Sequence, residues 1–548
     1  MAHLQKDLTS PYTNPFSSLP LLQLKYLVWL ALGVGFLLRT VQYSLDISLW
    51  IDEAFIALNI IDRSFFELLE PLDYRQGAPF GFLALEKLAI SALGTSEWVL
   101  RLVPFISGIL ALYLFQIFAR RFSQLSAVAV ATGLFALSDR LIYFSAEVKQ
   151  YSTDVAIALL LYLLLINKPI RHPSRLKYLL MAFFGSLALW FSHPTVFILA
   201  GVGLPLWLVE IREKNWRGVF GYLSVFLTWF TSFVIFYWVS LRSLTSNEAL
   251  QQSFQENHDA FMPLFPTSSQ DINWFVENFF GFFNSPLGFP TSGIAAFCFL
   301  AGVYAIWHQD KLKLSLLILP ILITLLASGL HQYPFKSRLL LFTVPLVLLI
   351  IAEGLIYLCH CLRSDHHWLG YILAGLLFFH PLYYAAGNLK NPRFITNDSD
   401  YQRVREDIKP VLAYVRQNRQ VGDVIYLYYA TQYAFKYYID RFEFSDLVSG
   451  EAVDPPVTED WFEPALPSYP PRLVVGQYSR EDWGTFEREL EGLNGHNRVW
   501  FIFSHAHDRR SSINEETAFL YLIDRVGTQR AAVSDVEASA YLYDLSRT

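Results

Sequence analysis

Apolar runs of about 20 residues, the length that a bilayer demands of a helix, recur from residue 24 to residue 386. No other feature constrains this chain as much. Lipid offers the backbone no hydrogen-bond partner, so each such run must close its own bonds as a helix. Eleven windows read this way: 24–45, 99–119, 124–144, 152–166, 176–192, 195–210, 218–241, 292–308, 312–330, 339–358 and 368–386. Only 16% of the 548 residues are charged and 53% are hydrophobic, against about 25% charge in a soluble domain. Charge returns beyond about residue 388, which marks a domain boundary. The expectation is a mainly α, polytopic membrane protein: a tail over 1–23, a membrane domain over 24–390 and a small α/β domain over 391–548. The first run fits a spanning helix better than a cleavable signal.

Lys/Arg bias orients the spans. Basic connectors hold Arg120 and Arg121; Lys168, Arg171, Arg175 and Lys177; Arg212, Lys214 and Arg217; Lys311 and Lys313; and Arg363. They alternate with connectors poor in base, such as 242–290, where Arg242 faces Glu248, Glu256, Asp259, Asp271 and Glu277. This pattern predicts a cytoplasmic N-terminus and an extracytoplasmic C-terminal domain in a cell (inner or plasma) membrane. The scheme requires 79–94 to lie on the outer surface, since a crossing there would invert every later loop. Its shortness and its Glu86-Lys87 pair agree. Cys298, Cys359 and Cys361 all precede the polar domain, which excludes a disulfide scaffold there. A net charge of −6 offers no basic footprint for nucleic acid.

Polar chemistry gathers in the outward connectors. Asp52 and Glu53 follow the first span, where two adjacent carboxylates repel and one can become a proton acceptor. The alternative is a solvated acidic loop, which also holds Asp46, Asp62, Glu67, Glu70 and Asp73. A second connector packs Glu147, Lys149 and Tyr151 into one turn, with Asp154 just beyond; the alternative is ordinary snorkelling. Lys336 and Arg338 break the positive-inside pattern and suit an anionic phosphate. Arg101 can pair with an acid or a phosphate. His193 and His331 lie on the same side, where a lone histidine is usually structural.

These residues carry a resemblance. The Asp52-Glu53 pair, the stretch from Gly77-Ala78-Pro79-Phe80 through Gly94, Glu97 and Arg101, and the run Glu147-Val148-Lys149-Gln150-Tyr151 resemble the GT-C membrane glycosyltransferases. The branch is that of the protein mannosyltransferase-like enzymes, which includes the lipid A aminoarabinose transferases and the RgtA/B/C/D-like enzymes. The resemblance spans roughly 24–390. It implies a polyprenyl-phosphate-linked sugar donor, a lipid, glycan or protein acceptor and work on the outer face. Carried over by position, Asp52 matches the family's catalytic base, Glu53 its neighbour, and Glu147 and Tyr151 a Glu-x-Arg-x-Tyr-like pattern. Lys149 stands where Arg is commoner, and Ala78-Pro79 where the family has Pro-Pro. The lipid A branch associates a metal with a Glu and a His. No pair here maps onto that site, so a divalent metal is left open.

The function expected is transfer of a sugar from that donor to an acceptor hydroxyl with inversion. Asp52, Glu53 and Glu147 are the catalytic candidates, and Arg101, Lys149, Tyr151, Lys336 and Arg338 would hold donor phosphate. The alternatives are a transporter, or a membrane-anchored sensor or binding protein. A transporter would place ionisable groups near the bilayer midplane and show internal repeats, and neither is evident. In the C-terminal domain, 423–428, 472–477, 499–504 and 540–545 read as strands. Helices are expected at 402–418, 431–439, 479–492 and 514–526, giving a largely parallel sheet. His505 and His507 follow a strand and read as an exposed loop, as does the Pro-rich 455–471. The domain is expected to shape acceptor access.

Overall fold

The computed structural model describes residues 21–166, 173–242, 260–362, 366–390, 406–448, 451–453, 464–478, 483–506 and 514–546. Lys168, Arg171, Glu248, Glu256, Asp259, Arg363, His507, the tail through residue 20 and much of 455–471 lie outside the described residues.

All eleven apolar windows are helical, and the chain is a multi-pass membrane protein. Among the described residues, eight helices have the length and hydropathy to cross a bilayer unaided: Leu21–Tyr43, Glu97–Phe122, Thr195–Arg212, Trp216–Leu241, Ser292–Gln309, Lys311–Gly329, Ser337–Cys361 and Trp368–Lys390. The pair Leu125–Leu137 and Asp139–Ala146, bent by 52°, reaches that length and hydropathy only when taken together. Tyr151–Leu165 and Arg175–Phe191 are shorter, at 15 and 17 residues. At 1.5 Å per residue they reach only about 22–26 Å.

The break at Ser138 shows how a membrane helix tolerates interruption. Freed carbonyls need partners where water is absent. Arg39, buried inside the first span, donates to Phe135 O and Ala136 O at 3.3 Å each and to Gly35 O at 3.0 Å. Ser138 Oγ accepts from Leu141 N at 3.5 Å and starts the next piece. Val344–Cys361 is the bundle's axis, with nearly every side chain buried. It crosses Ser292–Gln309 at two glycines: a Cβ on Gly354 would lie 1.8 Å from Cys298 O, and one on Gly302 would lie 2.0 Å from Ile350 O. Small residues let membrane helices approach this closely.

Between the first and second spans the chain forms two helices, Ile51–Asp62 and Phe80–Leu93. The second spans 14 residues, about 21 Å, and is not among the crossing helices. Of Glu86 and Lys87, the polar pair that argues for a surface-lying helix, the first is buried and the second half-buried. Glu86 is fully buried, neither carboxylate oxygen has a hydrogen-bond partner among the described residues, and burial pushes its carboxyl well above the usual range. Lys87 donates to Ile60 O and Ile61 O at 2.8 and 3.1 Å, capping the end of the preceding helix. The connector 242–290 also contains an unexpected helix, Ser269–Asn284, which starts with a capping box between Ser268 and Asp271.

The C-terminal domain is α/β with a five-stranded sheet in the order β2-β1-β3-β5-β4: β1 Val424–Leu427, β2 Leu473–Val475, β3 Val499–Ser504, β4 Thr528–Asp535 and β5 Ala538–Asp544. Helices run over Ile408–Asn418, Gln432–Tyr438, Trp483–Gly492 and Glu515–Val526. The expected parallel sheet holds for β2-β1-β3 only. β5 runs antiparallel to β3 and pairs with β4, an edge strand absent from the sequence reading. β4 reads as polar because its outer residues meet water. The domain does not hang free. One apolar cluster joins Leu49, Ile51, Ile56, Phe82 and Leu100 of the membrane half to Tyr426, Tyr433, Phe503 and Ala506 of the sheet half.

Candidate active site

The site begins with the loop that leaves the first span. Arg101, at the joint between Glu97–Leu100 and the long helix after it, turns its guanidinium back on that loop. Nη1 donates to Ile47 O at 2.9 Å and Nη2 to Ser48 O at 3.0 Å. The same guanidinium grips Glu53 through two bonds, 2.9 Å from Nε to Oε1 and 2.6 Å from Nη2 to Oε2. Glu53 also accepts from Val148 N at 2.9 Å. Three segments, 47–53, 101 and 148, are thereby tied by one buried, charge-assisted fork.

Asp52 points elsewhere. It sits in the first turn of Ile51–Asp62, where the helix dipole favours an anion. Its Oδ2 accepts from Arg338 Nη1 at 2.6 Å and lies 3.9 Å from Lys149 Nζ. Burial alone would raise its pKa, but Lys149 and Arg338 outweigh that and hold it down at about 2. Lys149 is itself buried, and burial lowers the pKa of its ammonium. It donates to Gln76 Oε1 at 2.8 Å, while Gln150 Nε2 donates to Gly77 O at 3.3 Å. The Arg338 guanidinium lies over the ring of Tyr151, 5.7 Å from its centroid, a cation–π distance. A carboxylate, an ammonium, a guanidinium and a phenol from three distant segments thus converge.

Among the described residues, no hydrogen bond or ion pair joins the other expected residues to Asp52. Glu147, nearly fully buried, lines a small cleft with Gln42, Trp50, Glu53, Arg101 and Tyr143. Lys336 is half-buried, and among the described residues its ammonium has no ion pair. His193 is half-buried beside Phe236, 5.6 Å between ring centroids, and its partial burial lowers its pKa to about 4. His331 is exposed and stacked on Phe261 at 4.8 Å. Among the described residues, no hydrogen bond or ion pair joins either histidine to Asp52. Nor, among them, does any group of three or more His, Cys, Asp or Glu side chains assemble to hold a metal ion.

Sequence reading missed the contribution of the C-terminal domain. Ser48, four residues before Asp52, donates through Oγ to Asp407 Oδ1 at 2.6 Å and accepts from Lys409 N at 3.0 Å. Leu49 N donates to Tyr438 OH at 2.9 Å. His505, set aside above as loop, lies close enough to Asp52 for a protonated imidazole there to lower the pKa of that carboxyl. Only the alternation of strand and loop ending at Ser504 could have signalled it.

No protein-family model matches the chain, and no curated protein matches it. Its structure is similar to that of ArnT from Cupriavidus metallidurans in the apo state, with 14% identity and a TM-score of 0.47 over 95% of this chain and 97% of that one. The same protein bound to undecaprenyl phosphate gives 13% identity and 0.44 over 95% and 98%. The archaeal oligosaccharyltransferase AglB from Archaeoglobus fulgidus, in complex with an inhibitory peptide and a dolichol-phosphate, gives 11% identity and 0.46 over 94% of this chain and 74% of that one.

Proposed function

We propose that the chain is an integral-membrane glycosyltransferase that moves a sugar from a polyprenyl-phosphate carrier to an acceptor hydroxyl on the extracytoplasmic face. The observation that carries this reading is the meeting of Asp52 with Lys149 and Arg338. Two cations on one carboxylate exceed what that carboxylate needs for charge balance, and they match the charge of a lipid phosphate. A donor phosphate arriving there competes with Asp52 for both. As they turn to the phosphate, the influence that holds Asp52 near 2 weakens, and burial drives the carboxyl upward toward a useful base. Donor binding therefore prepares the group that must act next.

The acceptor hydroxyl attacks the anomeric carbon opposite the phosphate, which inverts the configuration there. Asp52 takes the hydroxyl proton. The bond from anomeric carbon to phosphate oxygen breaks, and Arg338 and Lys149 meet the charge that the phosphate gains. Tyr151 keeps the guanidinium plane in place. Glu53 and Arg101 fix the loop that presents Asp52.

The test is the cell-envelope glycan profile, by mass spectrometry, of a strain lacking the gene and complemented with Asp52→Asn. Deletion should remove a glycan that the wild-type chain restores. General-base loss costs about 10²–10⁴-fold in rate, so Asp52→Asn should restore almost none of it at equal protein level. Restoration to the wild-type level would remove Asp52 from the mechanism. Normal glycans after deletion would refute the transferase reading.

A further inference from the structure

We propose that Gln76 is a positioning residue for the donor phosphate: its carboxamide oxygen holds the Lys149 ammonium in the site and leaves that ammonium its whole charge for the phosphate. The inference rests on the transferase reading above and deepens it.

Gln76 reaches Lys149 from the first outer connector. Its Oε1 accepts from Lys149 Nζ at 2.8 Å, and among the described residues no other acceptor bonds that ammonium. Asp52 Oδ2, at 3.9 Å, is beyond hydrogen-bond range. The other end of the carboxamide fixes its orientation, since Nε2 donates to Tyr74 O at 3.1 Å. A carbonyl only accepts and an ammonium only donates, so Oε1 is the atom that faces Lys149. The turn that presents Gln76 is held in one shape. Tyr74 and Arg75 stand at φ +61° and +52°, left-handed positions that non-glycine residues adopt rarely and that cluster at functional sites. Asn59, buried, accepts from Asp73 N at 2.9 Å and donates to Asp73 O at 3.2 Å. Asn59 belongs to Ile51–Asp62, the helix whose first turn carries Asp52. One helix therefore places Asp52 directly and Lys149 through Gln76.

The residue type decides what this bond does. Lys149 is 4% exposed, and burial penalises its charge. A buried charge needs a hydrogen bond to persist. A carboxylate would supply one and would also cancel the charge. Lys149 already feels Asp52, Glu147 and Glu53. A further carboxylate in direct contact would claim the ammonium and repel an arriving phosphate. The carboxamide bonds the ammonium and cancels nothing. An ammonium has donors beyond the one that Gln76 takes, and these remain to meet the phosphate.

The test titrates undecaprenyl phosphate onto the purified full-length chain in detergent, with undecaprenol as the uncharged control. Wild type should bind the phosphate about tenfold or more tighter than the alcohol. Gln76→Glu should weaken the phosphate about tenfold or more, leave undecaprenol as it is and melt, without lipid, no lower than wild type. A merely structural Gln76 would tolerate this change, because glutamate has the same size and bonds an ammonium more strongly. Should Gln76→Glu melt lower, Gln76→Met, of similar size and without an acceptor, carries the comparison and should weaken the phosphate about fivefold. On top of Lys149→Met, Gln76→Met should weaken it no further; additive losses overturn the route through Lys149. Wild-type affinity in Gln76→Glu or in Gln76→Met overturns the role of Gln76 while the transferase reading stands. A wild-type chain that binds undecaprenyl phosphate no better than undecaprenol overturns both.

Discussion

Asp52 and Glu53 are adjacent, yet they answer to different partners. Consecutive helical residues point about 100° apart, so one turn sends Glu53 to Arg101 and Asp52 to Arg338. Their substitutions should separate accordingly. Glu53→Gln leaves the Arg101 guanidinium buried without its counter-charge, which typically costs about 3–5 kcal/mol. A thermal or denaturant melt in detergent should show that loss, larger than the loss from Asp52→Asn, whose main effect is on transfer. The sign for pH follows from the depressed pKa of Asp52. Its ion pairs contribute stability that is fully present above the ordinary carboxyl value of about 3.9. That contribution fades as pH falls toward about 2. The stability gap between wild type and Asp52→Asn should therefore be flat above pH about 4 and close on acidification; a gap that widens in acid would contradict the pairing. Sequence alone grouped Asp52, Lys149 and Arg338, because all three lie in connectors of one parity. It could not separate Asp52 from Glu53, since adjacency says nothing about which way a helical turn faces them. Nor could it reach His505, which the chain brings to the site only by folding a whole domain back onto the loop.

Helices in this molecule owe their positions to close contacts that composition does not record. Gly354 is the sharpest case, with Cys298 O 1.8 Å from where a Cβ would stand. Gly354→Ala should cost at least about 1–3 kcal/mol by overpacking. Gly33→Ala, with nothing within 4 Å of its Cβ, should be neutral or slightly stabilising. Melting temperatures of the two variants in one detergent decide it, and equal values would refute the packing account. The apolar windows themselves were legible because lipid imposes length and hydropathy together. The 52° break at Ser138 was not, because the window 124–144 is apolar as a whole despite Asp139 and Arg140, and the guanidinium that satisfies the freed carbonyls comes from Arg39, in another helix. β4 escaped notice for a related reason: an edge strand facing water carries too little apolar alternation to declare itself.

At the scale of the molecule, Glu97 is the clasp between the two halves. Its carboxylate accepts from Lys409 Nζ at 3.0 Å, from Arg441 Nη1 at 2.8 and 2.7 Å and from Tyr438 OH at 3.0 Å, all from the C-terminal domain. Lys436 adds a bond of 2.8 Å to Asp62. Glu97→Ala should loosen this seam. Hydrogen exchange of amides in 406–416 and 432–438 should quicken by about tenfold or more, corresponding to roughly 1.4 kcal/mol or more of lost protection. Exchange in Ser292–Gln309, far along the bundle, should stay as it is. Unchanged exchange at the seam would mean that the apolar cluster alone holds the halves together. The domain boundary near residue 390 was readable from charge, but the seam was not, because its apolar members on each side read as the core of their own half.

The bond between Ser48 and Asp407 joins residues 359 apart in the chain. Synthesis at about 5–20 residues per second separates their emergence by roughly 20–70 s. Throughout that interval Asp52 has been made, yet the surface that will cover its loop does not exist. The nascent membrane half waits with Leu49 and Ile51 uncovered and the carboxylate of Glu97 without Lys409, Arg441 or Tyr438. The last quarter of the polypeptide is thus the final piece of the reaction chamber, and a chain truncated before it would carry the acidic loop without the platform that sets it.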